Sequence, residues 1–408
     1  MNKNNIVTGI DIGTYQVKVV IADGNHRVSG LPKIIGLGYA ESKGLRHGYI
    51  INKTDAIKSI KKAVSQAEKN SGIKIEKAFV SIGGIGLSSH TATGQIIISR
   101  ADSEITELDI EKVKEEAEKN IPQNISINRK NIHTIPIEYK IDSNQIWGNP
   151  IGLKGHQLEV KILYISSLKH HVKELIDTIE ASDIEIADAV ASPIAAGIVN
   201  LSKTERMAGC VMVNIGSETV SAVVYEEDVP ISLEVFKVGS NDITNDIALN
   251  LKVSLEEAEK IKQESNISIN DKSTYTKKTP QGKLEAIITS RLSNVFKLIE
   301  EHLKKIERNG LLPAGIILTG GGSGITSAED LARATLNLPS RVAKIANHKV
   351  NNAVGGLRVK DSTWSVAYGL CVYGLNYEQE EPTALGKFFE LIKVFFYKIG
   401  CFFKRLLP

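Results

Sequence analysis

The sequence predicts an α/β fold of two related lobes that face one cleft, and three observations lead to this prediction. Residues 6–12 form an apolar, β-branched run that ends in a turn at Gly13, and a second strand resumes at 17–22. The same layout of strand, tight turn and strand returns about 200 residues later, at 210–225. A third apolar run, 316–319, ends in a turn of three glycines. A repeat at half-chain distance indicates two lobes that are built alike.

The composition is that of an ordinary globular protein. The chain has 408 residues, of which 42% are hydrophobic and 24% charged, so it is long enough for two or more domains and general disorder is excluded. The net charge of +3 is too small to predict a nucleic-acid-binding surface. Three cysteines match no metal or disulfide spacing, and the first residues lack the apolar run of a signal peptide. We therefore expect a cytoplasmic protein.

The first lobe is predicted at residues 1–84 and 165–200, with an insert at 85–164 between its two parts. The lobe has a helix at 55–70, a strand at 73–82 and helices at 175–181 and 192–199, judged by the spacing of their apolar residues. The insert has its own predicted elements, which are a strand at 95–99, a helix at 109–120 and strands at 132–141 and 158–165. This order predicts a small α+β subdomain.

The second lobe is predicted at residues 201–375, and its part at about 226–300 is the subdomain that closes the cleft. Its predicted helices are 254–264, 283–306 and 328–334, and the polar segment 265–278 between the first two predicts a loop.

The last part of the sequence predicts an amphipathic membrane-binding helix at 385–408, after an acidic linker at 376–384. At about 100° per residue, one face is apolar and rich in phenylalanine, with Phe388, Phe389, Leu391, Ile392, Phe395, Phe396, Ile399, Phe402, Phe403 and Leu406. The basic residues on the other side are Lys387, Lys393, Lys398, Lys404 and Arg405. This composition is typical of a helix that lies on anionic lipid. A helix packed on the protein's own core and a helix held in a partner's groove are the alternatives.

The two strand turns and the glycine turn predict a nucleotide site. Gly13 and Thr14 can offer a backbone N–H and a hydroxyl to phosphate oxygens, and Asp11 can hold Mg²⁺ through water. In the second turn Asn214 replaces Asp11 and Gly216 repeats Gly13. The sequence has no P-loop motif, and the glycines at 84 and 86 lack the third glycine of a dinucleotide site, so we predict only a turn there.

These residues resemble the superfamily of actin, sugar kinases and Hsp70 and, within it, the FtsA family of bacterial cell-division proteins. The resemblance covers nearly the whole chain: 9–14 is similar to the first phosphate motif, 213–219 to the second and 318–322 to the adenosine motif. It implies an actin-like two-lobed ATPase-domain fold with an inserted SHS2-like subdomain, binding ATP and Mg²⁺. The nucleotide contacts that it implies are Gly13, Thr14, Tyr15, Lys18, Gly216, Ser217, Glu218, Thr219, Gly239, Glu259, Lys262, Gly320, Gly321, Gly322 and Ser323.

The resemblance also implies partners and a location. Members of the family assemble into filaments, bind the C-terminal peptide of the tubulin-like FtsZ with the second lobe, and contact neighbouring subunits and later division proteins through the insert. Their tail tethers the division ring to the inner membrane, so we expect a peripheral protein on its cytoplasmic face at the septum. Arg291 and Lys297 on the predicted helix 283–306 are candidates for the acidic FtsZ peptide, and a solvated basic face is the alternative.

Two departures from the family pattern bear on catalysis. Asn214 stands where an acid is usual, and Ser192 precedes Pro193 where Hsp70-like members have Glu. With no evident general base, we expect ATP binding with slow or undetectable turnover. Glu218 would repel phosphates unless it points away or reaches the metal. Two other functions share the scaffold: a PilM-type pilus-assembly protein, which generally lacks such a tail, and a sugar or acetate kinase, which needs a catalytic acid and a substrate pocket.

Overall fold

The computed structural model describes residues 5–28, 30–268, 280–345 and 362–379, which form two lobes and a smaller insert. The predicted amphipathic helix 385–408 lies outside these ranges, as do residues 380–384 of the predicted linker and most of the predicted loop 265–278. None of the helices in the described ranges combines the length and the apolar character that a membrane span requires.

The first lobe is built on a five-stranded sheet in the order β11-β6-β1-β2-β3. Strands β1 and β2 form an antiparallel hairpin, β3 extends it, and β6 and β11 run parallel to β1 on the other side. The strands are β1 (Ile6–Ile12), β2 (Gln16–Val28), β3 (Leu31–Glu41), β6 (Lys77–Ile82) and β11 (Glu185–Ala191), and β4 (Leu45–Arg46) pairs with β5 (Tyr49–Ile50) beside the sheet.

The second lobe repeats this sheet strand for strand, in the order β14-β13-β12-β15-β16. Again a hairpin is extended by an antiparallel strand on one side and by two parallel strands on the other. The strands are β12 (Cys210–Ile215), β13 (Val220–Glu226), β14 (Val229–Phe236), β15 (Gly315–Thr319) and β16 (Ser340–Val342). The repeat seen in the sequence is therefore a repeat of topology, and the fold class is confirmed.

Helices cover both sheets, and the chain passes between the lobes near α5. In the first lobe these are α1 (Lys53–Ser71), α4 (Lys169–Glu180), α5 (Ser192–Asn200) and α11 (Ser365–Gln379). Helix α11 packs on α5 and β1, so residues 365–375 lie with the first lobe and not with the second lobe predicted at 201–375. In the second they are α6 (Lys203–Ala208), α7 (Ser240–Leu251), α8 (Leu255–Ser268), α9 (Pro280–Lys305) and α10 (Ala328–Leu336). Helices α5 and α11 pack so closely that a Cβ added at Gly369 would overlap the backbone of Ala195. A buried bond from Asn200 Nδ2 to Thr319 Oγ1 (3.0 Å) ties this junction to the second lobe.

The insert is an antiparallel sheet, β7-β10-β8-β9, with a helix on one face. Its elements are β7 (Ser88–Ile97), α2 (Glu107–Lys119), α3 (Gln123–Ser126), β8 (Arg129–Ile141), β9 (Asn144–Ile146) and β10 (Gln157–Leu168). It buries a separate cluster of apolar side chains, including Val113, Leu158 and Tyr164. A cluster of its own is what an independent subdomain requires.

Several predicted element boundaries are wrong by a few residues. Strand β6 begins at Lys77 and not at 73, because Gly72 ends α1 with φ 71° and the next residues cross to the sheet as a loop. Helix α4 begins at Lys169 and not at 175, since its first turn is polar and carries no apolar signal. Residues 376–379, which were predicted to be linker, are helical, because α11 continues to Gln379 and Tyr377 packs edge-on against Phe79.

Candidate functional site

A cleft of about 310 Å³ lies between the two strand hairpins. This volume is at the lower end of the range for small-molecule sites. Both hairpin turns, the glycine turn after β15, the start of α7 and the middle of α8 contribute to its walls. Residues predicted as nucleotide contacts that line the cleft are Gly13, Thr14, Tyr15, Lys18, Gly216, Ser217, Thr219, Glu259, Lys262, Gly320, Gly321 and Gly322, and Asp11 and Asn214 line it too.

Asp11 lies at the end of β1, directly across the hairpin from Lys18. The Ser81 hydroxyl on β6 donates to Asp11 Oδ1 at 2.9 Å and in turn accepts from the Ile12 N–H at 3.2 Å. Burial raises the pKa of the Asp11 carboxyl above its ordinary value, and Lys18 and the Ser81 hydroxyl offset only part of that effect. A carboxylate held in this way is poorly compensated until a cation approaches it.

The second hairpin is held by the start of α7. The Ser240 N–H donates to Gly216 O (2.9 Å), and the Asn241 N–H donates to Ser217 O (2.8 Å). A Cβ at Gly239 would overlap the Ser217 backbone, so this approach requires glycine. Gly239 therefore supports the hairpin and is not among the residues that line the cleft, and its role as a nucleotide contact stays a prediction.

The glycine turn after β15 closes the far wall of the cleft. Gly320 has φ 85°, and a Cβ there would overlap the Asn214 side chain, so only glycine fits. Ser323 was predicted to contact the nucleotide but is buried behind the turn, where its hydroxyl donates to Gly320 O at 2.7 Å. Its role in the structure is to fix the turn.

Glu259 and Lys262 on α8 line the cleft as an ion pair, with Lys262 Nζ 2.6 Å from Glu259 Oε2. The Thr244 hydroxyl on α7 donates to the same carboxylate oxygen at 2.6 Å. Burial alone would raise the pKa of Glu259, but the hydrogen bonds from Lys262 and Thr244 outweigh it and hold the pKa below its ordinary value. Glu259 is therefore an ionised hydrogen-bond acceptor and a poor proton donor at neutral pH.

Glu218 is not among the residues that line the cleft, so its carboxylate need not conflict with phosphate, and its role as a nucleotide contact stays a prediction. Its Oε2 accepts the His47 backbone N–H at 2.6 Å, across the gap between the lobes. This contact joins residues that are 171 positions apart, so no local pattern could have indicated it.

Sequence analysis missed several residues in the cleft walls. Gly83 and Gly84 line it, although we predicted only a turn, and their position after the buried strand β6 repeats the signal that was recognised at 320–322. Ser192, Asn241 and the other missed residues carry no comparable signal, because single polar residues at helix starts are common. The additional lining residues are Ile12, Gln16, Gly48, Ser81, Ser240, Gln263, Thr319, Ile325, Ser362, Thr363 and Val366.

The two residues predicted to meet an acidic peptide differ in their surroundings. Arg291 forms a two-pronged pair with Asp246, with N–O distances of 2.7 and 2.8 Å, so its guanidinium already has a carboxylate partner. Lys297 lies on the exposed side of the same helix, α9. Within the described ranges, no group of three or more His, Cys, Asp or Glu residues is arranged to hold a metal ion.

Comparison with known families decides the identity of this scaffold. A model described as cell division protein FtsA matches residues 211–369, and one described as the SHS2 domain inserted in FtsA matches residues 84–166. Together these ranges cover more than half of the chain, and the second coincides with the insert. The chain belongs to the FtsA family. It is thus a cell-division protein with an actin-like fold, and the resemblance seen in the sequence is confirmed.

Relatives with this name match along nearly the whole chain. The FtsA of Bacillus subtilis is 29% identical over 404 residues, covering 95% of this chain and 87% of its own. The FtsA of Borreliella burgdorferi is 29% identical over 403 residues, covering 95% of each chain.

Solved structures support the fold. A chain of the PilM-PilN type IV pilus biogenesis complex has a TM-score of 0.65 at 19% identity, covering 90% of this chain and 98% of its own. MreB5 of Spiroplasma citri bound to ADP has a TM-score of 0.53 at 14% identity, covering 92% of this chain and 98% of its own. The pilus protein shares the fold, but the family models match FtsA, so the pilus alternative is not favoured.

Proposed function

We propose that this member of the FtsA family binds ATP with Mg²⁺, polymerises on the cytoplasmic face of the inner membrane at the division septum, and tethers the FtsZ ring there. The observation that carries the proposal is the cleft itself, in which two topologically equivalent hairpins face each other with Gly13 and Gly216 at their turns. Backbone N–H groups at such turns are suited to phosphate oxygens.

The residues of the cleft fit a magnesium nucleotide. The N–H groups at Gly13 and Gly216 would meet phosphate, the turn 320–322 would approach the adenosine, and Glu259 and Lys262 would face ribose and base. Asp11 would hold Mg²⁺ through water, because its buried carboxylate has only partial compensation from Lys18 and Ser81. The metal ion would supply positive charge that neutralises the phosphate oxygens.

The same cleft supports slow turnover. Asp11 and Glu259 are the carboxylates among its described lining residues, and Glu259 is engaged with Lys262 and Thr244. Asn214 brings an amide to the place where a second acid would be expected, and an amide cannot accept a proton from water at neutral pH. The main effect of bound ATP would then be on filament assembly, and hydrolysis would contribute little.

The rest of the proposal concerns surfaces and partners. Head-to-tail contacts between identical subunits generate open filaments, and many tails on one filament bind the membrane by avidity. The amphipathic segment 385–408 would lie on anionic lipid, and the insert would meet neighbouring subunits and later division proteins. Lys297 and Arg291 remain candidates for the FtsZ peptide, although Arg291 would first have to release Asp246.

Calorimetric titration with ATP and Mg²⁺ tests the cleft. Gly320→Ala places a Cβ against Asn214, whereas Gly324→Ala in the same turn meets nothing within 4 Å and is the matched control. We expect binding by wild type and by Gly324→Ala, and a loss of at least tenfold, about 1.4 kcal/mol, in Gly320→Ala. Melting curves without nucleotide would show whether Gly320→Ala still folds. No binding by wild type would contradict the proposal.

Co-sedimentation with vesicles tests the membrane tether. The full chain and a chain ending at Glu381 would be mixed with anionic and with neutral vesicles, with and without ATP. We expect binding by the full chain that is strongest on anionic lipid, and none by the truncated chain. The double variant Lys393→Glu, Lys398→Glu keeps the apolar face. It should weaken binding to anionic vesicles and leave binding to neutral vesicles unchanged. Equal binding by the full and truncated chains would contradict the tether. It would favour the alternatives, in which the segment packs on the protein's own core or in a partner's groove.

A further inference from the structure

The short loop at residues 44–50, which contains β4 and β5, contacts both hairpins of the cleft. On the side of the first lobe, the Gly48 N–H donates to Thr14 Oγ1 at 3.0 Å. On the side of the second lobe, the His47 N–H donates to Glu218 Oε2 at 2.6 Å, and His47 Nδ1 lies 3.3 Å from Glu218 O. The 44–50 loop is thus a bridge between the two turns that would hold phosphates.

These bonds determine what each turn presents to the cleft. The Thr14 hydroxyl accepts the Gly48 N–H, which directs its own O–H proton to another acceptor, and Thr14 lines the cleft. The Glu218 carboxylate is drawn out of the cleft by the His47 N–H. Because this contact joins the two lobes, it favours the arrangement in which they are close together.

The opposite side of the 44–50 loop contacts the start of the insert. The Ile85 N–H donates to His47 O at 3.2 Å. Gly48 and Gly84 both have positive φ, and a Cβ on Gly48 would overlap Gly84, so the two backbones pass in direct contact. The Tyr49 ring stacks on His171, at a centroid distance of 3.4 Å and an angle of 7°.

The contact continues into the insert sheet. The Tyr49 hydroxyl lies against Gly86, where an added Cβ would overlap it. Arg129, on β8 of the insert, donates to Gly86 O at 2.6 Å and to Ser88 Oγ at 2.6 Å. The 44–50 loop thus packs against the base of the insert through backbone and ring contacts that leave little free space.

We propose that the 44–50 loop couples closure of the nucleotide cleft to the position of the insert, with Glu218 and Tyr49 as its positioning residues. This inference rests on the proposed binding of ATP in the cleft. A nucleotide between the hairpins draws the lobes together, and the Glu218–His47 contact forms only when they are close. Ligand and contact therefore stabilise the same closed state, and each strengthens the other.

Titration of Glu218 variants with ATP tests the cleft side of this coupling. We expect Glu218→Ala to weaken ATP binding about tenfold, and Glu218→Gln, which keeps an oxygen for the His47 N–H, to stay within about threefold. If Glu218 acted by repelling phosphate, both variants would bind ATP more tightly than wild type, because both remove its charge. Unchanged or tighter binding by Glu218→Ala would overturn the inference.

Hydrogen–deuterium exchange of the full chain, with and without ATP, tests the insert side. We expect ATP to slow exchange in segments 84–88 and 166–172 of wild type, and this protection to be lost in Tyr49→Ala at ATP saturation. Tyr39→Ala, a half-exposed tyrosine on β3, is the matched control and should keep it. The coupling inference would be overturned, and the proposed function left standing, if wild type bound ATP without protecting these segments. The same would hold if Tyr49→Ala kept the protection. Wild type that binds no ATP would overturn the proposed function as well.

Discussion

Replacement of Asp11 by asparagine should make the nucleotide-free protein more stable and remove the effect of Mg²⁺ on ATP binding. Burial raises the pKa of Asp11, so its ionised form is less favourable in the folded chain than in the unfolded one. Asparagine has nearly the same shape and keeps an oxygen for the Ser81 hydroxyl, now at 2.9 Å. We therefore expect Asp11→Asn to raise the free energy of unfolding of the nucleotide-free protein by about 0.5–2 kcal/mol. For a cooperative unit the size of one lobe, each kcal/mol raises the melting temperature by about 2–4 °C.

The stability that Asp11→Asn gains over wild type should increase with pH. Because the folded-state pKa of Asp11 lies above the unfolded value, the stability linked to its protonation is fully present below the unfolded pKa and is lost as the pH rises through the folded pKa. The advantage of Asp11→Asn over wild type should be largest at neutral pH. It should shrink as the pH falls through the raised folded-state pKa, where Asp11 of wild type takes up its proton.

Asp23 provides a matched control in the same sheet. Burial alone would raise its pKa, but hydrogen bonds from His26 and Asn25, at 2.8 and 2.9 Å, outweigh it and hold the pKa below its ordinary value. Its stability contribution is present above the unfolded pKa and is lost as the pH falls. Asp23→Asn should therefore lower the melting temperature at neutral pH, opposite to Asp11→Asn.

Thermal melts with ATP plus Mg²⁺ and with ATP plus chelator complete the test. A ligand at about 100 times its dissociation constant stabilises the folded state by about 2.7 kcal/mol. ATP should raise the melting temperature of wild type more with Mg²⁺ than with chelator. In Asp11→Asn the two increases should be equal. A lower melting temperature of nucleotide-free Asp11→Asn would refute the argument from burial. A full Mg²⁺-dependent shift in the variant would refute the role of Asp11 toward the metal.

Three further predictions concern packing, thiol chemistry and the second lobe. Gly369→Ala should lower the free energy of unfolding by about 1–3 kcal/mol in denaturant titrations, because its Cβ would overlap Ala195, whereas Gly324→Ala should change it little. Burial raises the pKa of Cys210 to about 12, so this thiol should be alkylated at pH 8 only after unfolding, as peptide mass mapping would show. A double-mutant cycle of Arg291→Ala and Asp246→Ala should give a coupling of about 0.5–1 kcal/mol, and zero coupling would leave Arg291 available to a peptide.

The architecture was predictable because its signals are local and occur twice. Apolar runs that end in glycine at 13, 216 and 320 predicted strands and turns, and the spacing of the copies predicted two lobes. Boundaries were less certain where a polar first turn, as at Lys169, or the loop before Lys77 gave no periodic signal. The insert was recognised since strands and a helix interrupt the repeat with a pattern of their own.

The site was predictable as a set of turns but not as a set of contacts. Which side chains line the cleft depends on where each turn meets the other lobe, and those partners are distant in sequence. Gly239 and Ser323 support the turns from behind, while Gly83 and Gly84 reach the cleft from the start of the insert.

The sequence by itself determined the repeated hairpins, the insert and the amphipathic character of 385–408, because hydrophobic period and turn residues are properties of neighbouring positions. Only the tertiary structure decided the direction of Glu218, which its charge alone suggested would face phosphate. Its carboxylate is instead held by the N–H of His47, 171 positions away, and an interaction of that range exists only once the two lobes have come together.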